Sequence, residues 1–125
     1  MNKKILIIDD NAQDRKIVVR YLNGLGFGNI LQAERGDSGV EKAKAERPDW
    51  IIVDTVLPDI DGFEVCRRIK DDDALKNSKV IIMTGSVDSV DAVKAKRNGA
   101  DDYCVKSPDC ASLLEVIADI QGGGQ

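Results

Sequence analysis

The sequence predicts a doubly wound α/β fold with one five-stranded parallel sheet and five helices. Short apolar runs rich in β-branched residues recur along the 125 residues, and segments with helical spacing of apolar residues lie between them. The runs do not alternate between apolar and polar residues, as is typical of parallel strands covered on both faces. Right-handed crossovers then place helices on both faces of the sheet.

Each strand and helix has its own signal in the sequence. Four strands are clear, at residues 5–8, 50–53, 80–83 and 103–105, and a weaker one is predicted at residues 29–33. Asn11 is suited to cap the first helix, which Gly24 and Gly26 can end. Pro48 stops the second helix, because proline disfavours helical geometry in the residue before it. The predicted helices after the first span about 37–46, 63–69, 87–98 and 113–120.

Length and composition predict one domain, assigned to residues 1–121, with a flexible glycine-rich tail at 122–125. A chain that is 42% hydrophobic can bury a core of this size without disulfides or metals. Its net charge of −4 argues against binding nucleic acid or anionic lipid, since both attract basic surfaces. No apolar stretch approaches the about 20 residues of a transmembrane helix.

The absence of histidine excludes Ser-His-Asp and Cys-His nucleophiles, and histidine-ligated zinc or haem, unless a partner supplies the imidazole. The three cysteines show no Cys-x-x-Cys spacing and cannot complete a four-cysteine metal site. They are expected to be reduced thiols of a cytoplasmic protein.

Polar side chains follow or end four predicted strands, and we expect them at one edge of the sheet, where doubly wound folds bind ligands. These residues are Asp9, Asp10, Asp54, Thr84 and Lys106. Carboxylates 4 Å apart repel by ~4 kcal/mol at an effective dielectric near 20, so a cation is expected among them. Lys106 supplies one charge, and an all-oxygen acidic site suits Mg²⁺. With a cation bound, Asp54 could attack a phosphoryl group and form an acyl phosphate.

In order and in register, these segments resemble the receiver domain of two-component response regulators over essentially the whole chain. The matching residues are Ile5 to Asp10, Val53-Asp54, Pro58, Asp61-Gly62, Met83 to Gly85, Gly99 to Tyr103, and Lys106. The resemblance implies the CheY-like, flavodoxin-like arrangement of the sheet. It also implies that Asp54 accepts phosphate from a histidine kinase or a phosphotransfer protein, which would supply the missing histidine.

The same resemblance implies the roles of the other site residues. Four groups are expected to hold Mg²⁺: the side chains of Asp9, Asp10 and Asp54 and the backbone carbonyl of Val56. Thr84 and Lys106 are expected to bind the phosphoryl oxygens. Tyr103 is expected to be an aromatic switch that changes rotamer as Thr84 moves inward, although it could also be an ordinary half-buried strand residue.

The predicted function is a signalling switch, and the only catalysis expected is the chain's own phosphorylation and slow autodephosphorylation. Its output is expected through the face formed by the fourth helix, fifth strand and fifth helix. This face would bind a downstream protein or an output domain, and the resemblance also allows a homodimer formed on phosphorylation.

Two other functions stay open at this point. The chain could be a receiver-like module that binds partners without phosphorylation, because a fold does not guarantee a function. A haloacid-dehalogenase-like phosphatase is suggested by Asp59-Ile60-Asp61-Gly62. That family, however, places its aspartates directly after the first hydrophobic strand, and no cap domain fits in the chain.

One departure from the family concerns the residue after Lys106. The family usually has proline there, joined by a cis peptide bond, whereas this chain has Ser107 and then Pro108. A cis bond before a non-proline residue costs ~2.5–4 kcal/mol. We therefore predict a trans bond between Lys106 and Ser107, with a Lys106 ammonium that still reaches Asp54.

Overall fold

The computed structural model describes residues 3–85 and 89–123. Its elements, in chain order, are β1 Lys4–Ile8, α1 Ala12–Gly24, β2 Asn29–Ala33, α2 Gly36–Glu46, β3 Trp50–Asp54, α3 Gly62–Lys70, a 3₁₀ helix Asp73–Leu75, β4 Lys79–Thr84, α4 Ser89–Arg97, β5 Asp102–Val105 and α5 Ala111–Gly123. The strands form one parallel sheet in the order β2-β1-β3-β4-β5. The predicted doubly wound α/β fold is confirmed.

The observed elements match the predicted ones closely, and the strands are longer by up to two residues. β4, for example, begins at Lys79 and includes Thr84 as its last residue. The predicted start of the fourth helix, at residue 87, lies outside the described residues. The helix α5 continues to Gly123 and so includes the first two residues of the predicted tail. The domain limits themselves stay a prediction.

Side chains of β1 show how the sheet is covered on both faces. Ile5 and Ile7 pack in the core layer shared with α1 and α5, whereas Leu6 and Ile8 pack in the layer shared with α2 and α3. All four are at most 1% exposed. Successive strand residues point to opposite faces, so a strand buried on both sides has no polar positions. This explains the continuous apolar runs in the sequence.

The reversal of strand order between β1 and β3 positions the functional edge. From β1 the chain first adds β2 on one side and later adds β3 on the other, so the loops after β1 and β3 diverge. In the register of the sheet, Ile8 lies beside Val53 and Asp54 lies beside Met83. The residues that follow these strands therefore share one edge.

Candidate functional site

Asp9, Asp10 and Asp54 come together at this carboxyl edge of the sheet. One carboxylate oxygen of each lies within 4.8 Å of one oxygen of each of the others. The side chains of Asp9 and Asp54 are buried, at 1% and 8% exposure, whereas Asp10 is exposed. The structure thus brings together the three carboxylates that the sequence analysis singled out.

The Lys106 ammonium lies among these carboxylates. Its Nζ atom is 3.0 Å from Asp9 Oδ2, 3.3 Å from Asp54 Oδ2 and 2.8 Å from Asp14 Oδ2. The Lys106 backbone N–H donates to the Thr84 carbonyl at 2.6 Å, which fixes the end of β5 against β4. The peptide bond to Ser107 is trans, and the ammonium reaches Asp54. Both predictions about this departure from the family are confirmed.

Burial and neighbouring charges shift the pKa values of two site residues. Burial raises the pKa of the Asp54 carboxyl; the Lys106 ammonium offsets part of this effect, and the Asp9 carboxylate adds to it. Burial alone would lower the pKa of Lys106, but its contacts with Asp14, Asp9 and Asp54 outweigh burial and raise it. Lys106 therefore stays a cation at physiological pH.

The donor set of this site fits a hard divalent cation. Asp9 Oδ1 accepts a hydrogen bond from the Asn11 N–H at 2.9 Å. Its other oxygen, Oδ2, is buried and pairs with the Lys106 ammonium at 3.0 Å, and no further hydrogen-bond donor contacts it among the described residues. Lys106 brings one positive charge to the three carboxylates of the cluster, and hard divalent cations prefer such all-oxygen sites, so the donor set is suited to a divalent cation.

The N-terminus of α3 packs directly against the end of β3, and this contact supports Asp54. A side chain at Gly62 would overlap the backbone carbonyl of Asp54. The Gly62 N–H donates to the Thr55 carbonyl at 3.0 Å, and Asp61 caps the helix by accepting from the Glu64 N–H at 2.8 Å. Only glycine allows this close approach, which explains the Asp61-Gly62 pair seen in the sequence.

The structure places Thr84 at the end of β4 and Tyr103 in the neighbouring strand β5, without testing their switch role. Thr84 is 2% exposed at the end of β4, and its hydroxyl donates to Asp91 Oδ2 of α4 at 2.9 Å. Tyr103 is half-buried in β5 and packs against the core layer of α2 and α3. Val56 follows Asp54 by two residues and is 72% exposed, and its carbonyl as a cation ligand stays a prediction.

Two residues in the first turn of α1 belong to the site and were missed by the sequence analysis. Asp14 contacts Lys106, and Arg15 donates to the backbone carbonyl of Asp9 at 2.7 Å. Arg15 is buried and also donates to Gln32 Oε1 at 3.0 Å. A signal was available in the sequence: Asn11 caps α1 directly after Asp10, so the first helical turn has to lie next to the strand ends.

Comparison with known proteins shows to which family the chain belongs. The response regulator receiver domain family matches residues 5–118. The chain belongs to this family. This receiver domain is 35% identical over 120 residues to Protein PilH of Pseudomonas aeruginosa, covering 96% of this chain and 98% of PilH.

A second curated relative and one solved structure agree with this membership. Chemotaxis protein CheY-3 of Vibrio cholerae serotype O1 is 31% identical over 119 residues, with 95% of this receiver domain and 92% of CheY-3 covered. The structure of chemotaxis response regulator CheY4 of Vibrio cholerae has a TM-score of 0.85 at 25% identity, covering 96% and 99% of the two chains. The chain spans only 43–47% of the length of three other relatives, all transcriptional regulatory proteins.

These comparisons confirm the predicted receiver domain of two-component signalling. Receiver domains are signalling proteins that interact with histidine kinases and downstream targets, and they bind Mg²⁺ in an acidic pocket of the kind seen here. Neither the phosphatase nor the phosphorylation-independent module is favoured by the relatives. Among the helices of the described residues, none is both long and apolar enough to cross a membrane.

Proposed function

We propose that this receiver domain accepts a phosphoryl group on Asp54 from a histidine kinase or a phosphotransfer protein and then signals by binding another protein. One observation carries the proposal. The buried Asp54 carboxylate lies 3.3 Å from the Lys106 ammonium, inside a cluster of three carboxylates that suits a divalent cation. A nucleophile, a fixed positive charge and a cation site are the parts that phosphoryl transfer to a carboxylate requires.

In the proposed reaction an Asp54 carboxylate oxygen forms a bond to phosphorus while the bond from phosphorus to the donor's imidazole nitrogen breaks. The imidazole leaves with the electron pair of that bond. Lys106 stabilises the charge on the phosphoryl oxygens, because its ammonium already lies beside the attacking carboxylate. Mg²⁺, held by Asp9, Asp10, Asp54 and the Val56 carbonyl, supplies further positive charge when it is bound.

In this proposal, phosphorylation of Asp54 changes the conformations of the Thr84 and Tyr103 side chains. The Thr84 hydroxyl exchanges its hydrogen bond to Asp91 for one to a phosphoryl oxygen, and Tyr103 changes rotamer in response. The face of α4, β5 and α5 then binds a downstream protein or output domain, or a second copy of the chain. Val90 and Val93 of α4 are 66% and 53% exposed, so this face offers apolar side chains to a partner.

The remaining parts of the proposal concern catalysis and location. The chain catalyses its own phosphorylation and the slow loss of the phosphoryl group, and it acts on no other substrate. Its three cysteines are free and buried, which supports a reducing cytoplasmic location.

Incubation with acetyl phosphate and Mg²⁺, followed by intact mass measurement, tests this function. We expect a lasting gain of one phosphoryl group that disappears in Asp54→Asn. Turnover of phosphomonoesters without a stable adduct would instead indicate a phosphatase. An unmodified chain that also turns over no ester would indicate an interaction module that works without phosphorylation.

A further inference from the structure

The site holds a fourth carboxylate that the proposed function does not use. Asp14 Oδ2 lies 2.8 Å from Lys106 Nζ, which is the shortest of the three ion pairs that this ammonium makes. The longest of them, at 3.3 Å, is the one to Asp54. Lys106 is therefore shared between the start of α1 and the residue that would carry the phosphoryl group.

We propose that Asp14 is a positioning residue that competes with the phosphoryl group for the Lys106 ammonium, and so sets how readily Asp54 is phosphorylated. The inference rests on the proposed function, because it assigns a partner for Lys106 that has to be exchanged during that reaction. Asp14 acts only through Lys106, since it does not belong to the three-carboxylate cluster that would hold the cation.

Exposure decides which carboxylate gives up the ammonium when a phosphoryl group arrives. The Asp9 side chain is 1% exposed, so its carboxylate cannot be solvated by water and needs Lys106 or a bound cation as its partner. The Asp14 side chain is 34% exposed, and water can solvate its carboxylate after the ion pair breaks. Asp14 can therefore release the ammonium at little cost, whether or not a cation is bound.

The backbone of Asp14 is fixed, so this exchange requires only side-chain movement. The Asp14 N–H donates to Asn11 Oδ1 at 3.0 Å in the first turn of α1. The positive end of the helix dipole also stabilises a carboxylate at this place, with or without Lys106. The start of α1 thus keeps a competing anion beside the ammonium while leaving its side chain free to turn.

Asp14→Asn tests the competition. The amide keeps the shape of the side chain and removes its charge, so Lys106 is expected to move toward Asp54. We expect the concentration of acetyl phosphate that gives half-maximal phosphorylation to fall by about fivefold, and beryllofluoride to bind about fivefold more tightly in thermal-unfolding titrations. The affinity for Mg²⁺ is expected to fall by about two- to threefold, since the site loses negative charge.

Three further variants separate this mechanism from a general charge effect. Asp37→Asn is the matched control, because Asp37 lies in the first turn of α2 and contacts Arg35 and not Lys106. Its affinity for beryllofluoride should equal that of the wild type. Asp14→Glu keeps the charge, and its longer side chain can still contact Lys106, so its affinity should be close to that of the wild type. In a Lys106→Met background, Asp14→Asn should change the affinity by less than about 1.5-fold.

Either of two results would overturn the competition: wild-type affinities in Asp14→Asn, or an equal change in the Lys106→Met background. The proposed function fails in a different way. A wild type that binds beryllofluoride with the predicted dependence on Asp14, yet takes no phosphoryl group from acetyl phosphate, would refute phosphorylation of Asp54 and uphold the competition for Lys106.

Discussion

The two edges of the sheet differ in how fully their charged side chains are paired. At the amino edge, where the strands begin, Asp101 accepts a hydrogen bond from the Val80 N–H at 2.8 Å and forms an ion pair with Lys70 at 2.6 Å. Lys70 also donates to the Ser78 carbonyl at 2.8 Å. Each of these polar groups has a partner from the same chain, so this edge fastens the strand ends and needs no ligand.

At the carboxyl edge the charges are not balanced in the same way. The Lys106 ammonium forms ion pairs with the carboxylates of Asp9, Asp14 and Asp54, and the Asp10 carboxylate lies close to those of Asp9 and Asp54. One buried oxygen among them, Asp9 Oδ2, has no hydrogen-bond donor among the described residues beyond its ion pair with Lys106. Unbalanced buried charge lowers stability and is retained where a ligand or a reaction supplies the missing charge. The difference between the edges separates residues that stabilise the fold from residues that serve its function.

Among the variants that test this difference between the edges, Asp54→Asn is expected to have the largest effect. It should abolish phosphorylation by acetyl phosphate, because the amide cannot act as the nucleophile. It should also raise the free energy of unfolding at neutral pH, because it removes a buried charge that its neighbours only partly compensate. Intact mass and urea denaturation measure the two effects. A variant that still gains a phosphoryl group at the wild-type rate would show that Asp54 is not the acceptor.

Asp101→Ala should have the opposite effects at the amino edge. Loss of its hydrogen bond and ion pair is expected to lower the free energy of unfolding by about 1–2 kcal/mol. The rate of phosphorylation should stay at the wild-type value when both proteins are measured well below their melting temperatures. Asp73→Ala is the control, because Asp73 is 90% exposed and should change stability by less than about 0.5 kcal/mol. An unchanged stability of Asp101→Ala would remove the contrast between the edges.

Mg²⁺ should stabilise the wild type, because it compensates the negative charge of the carboxylates at the carboxyl edge. At a Mg²⁺ concentration ten times Kd, the gain in free energy of unfolding is about 1.4 kcal/mol. Asp10→Ala should show much less of this gain, while Asp101→Ala should keep all of it. Urea denaturation with and without millimolar Mg²⁺ measures the gain. Equal stabilisation of the wild type and Asp10→Ala would argue against a cation at this site.

The carboxyl edge also shows what the sequence could and could not predict. Asp9, Asp54 and Lys106 were predictable because each follows a clear apolar strand, and parallel strands bring their carboxyl ends to one edge. Asp14 was not predicted, since the apolar pattern of α1 locates its buried face but not the direction of a polar side chain in its first turn. The bond from Thr84 to Asp91 was missed for the same reason, because it depends on how α4 packs on the sheet.

Substitution of Val56 should change the lifetime of the phosphoryl group, and this effect is expected to be smaller than those of the variants above. Val56 is exposed beside Asp54 and offers no side-chain group that can orient a hydrolytic water. We expect slow autodephosphorylation in the wild type and a several-fold change in Val56→Glu or Val56→Asn, which corresponds to about 1 kcal/mol. The decay of the phosphorylated mass after removal of acetyl phosphate measures it. Identical lifetimes would exclude Val56 from the path of the water.

The smallest expected effect is the pH dependence of stability, which should differ in sign between two aspartates. Because the pKa of Asp54 is raised in the folded state, its contribution to stability is fully present below the unfolded pKa of about 3.9. This contribution is lost as the pH rises through the raised folded pKa. Without Mg²⁺, the stability advantage of Asp54→Asn over the wild type should therefore be smallest near pH 3 and grow toward pH 7.

Asp59 provides the comparison of opposite sign. Burial alone would raise the pKa of Asp59, but the N–H groups of Asp37 and Gly36 hold it well below its usual range. Its contribution to stability is present above the unfolded pKa and is lost as the pH falls through the lowered folded pKa. The disadvantage of Asp59→Asn should therefore be largest near pH 7 and shrink as the pH falls. Urea denaturation of both variants and the wild type between pH 3 and 7 measures the two trends. If the stability difference from the wild type changed with pH in the same direction for both variants, the opposite pKa shifts of Asp54 and Asp59 would be contradicted.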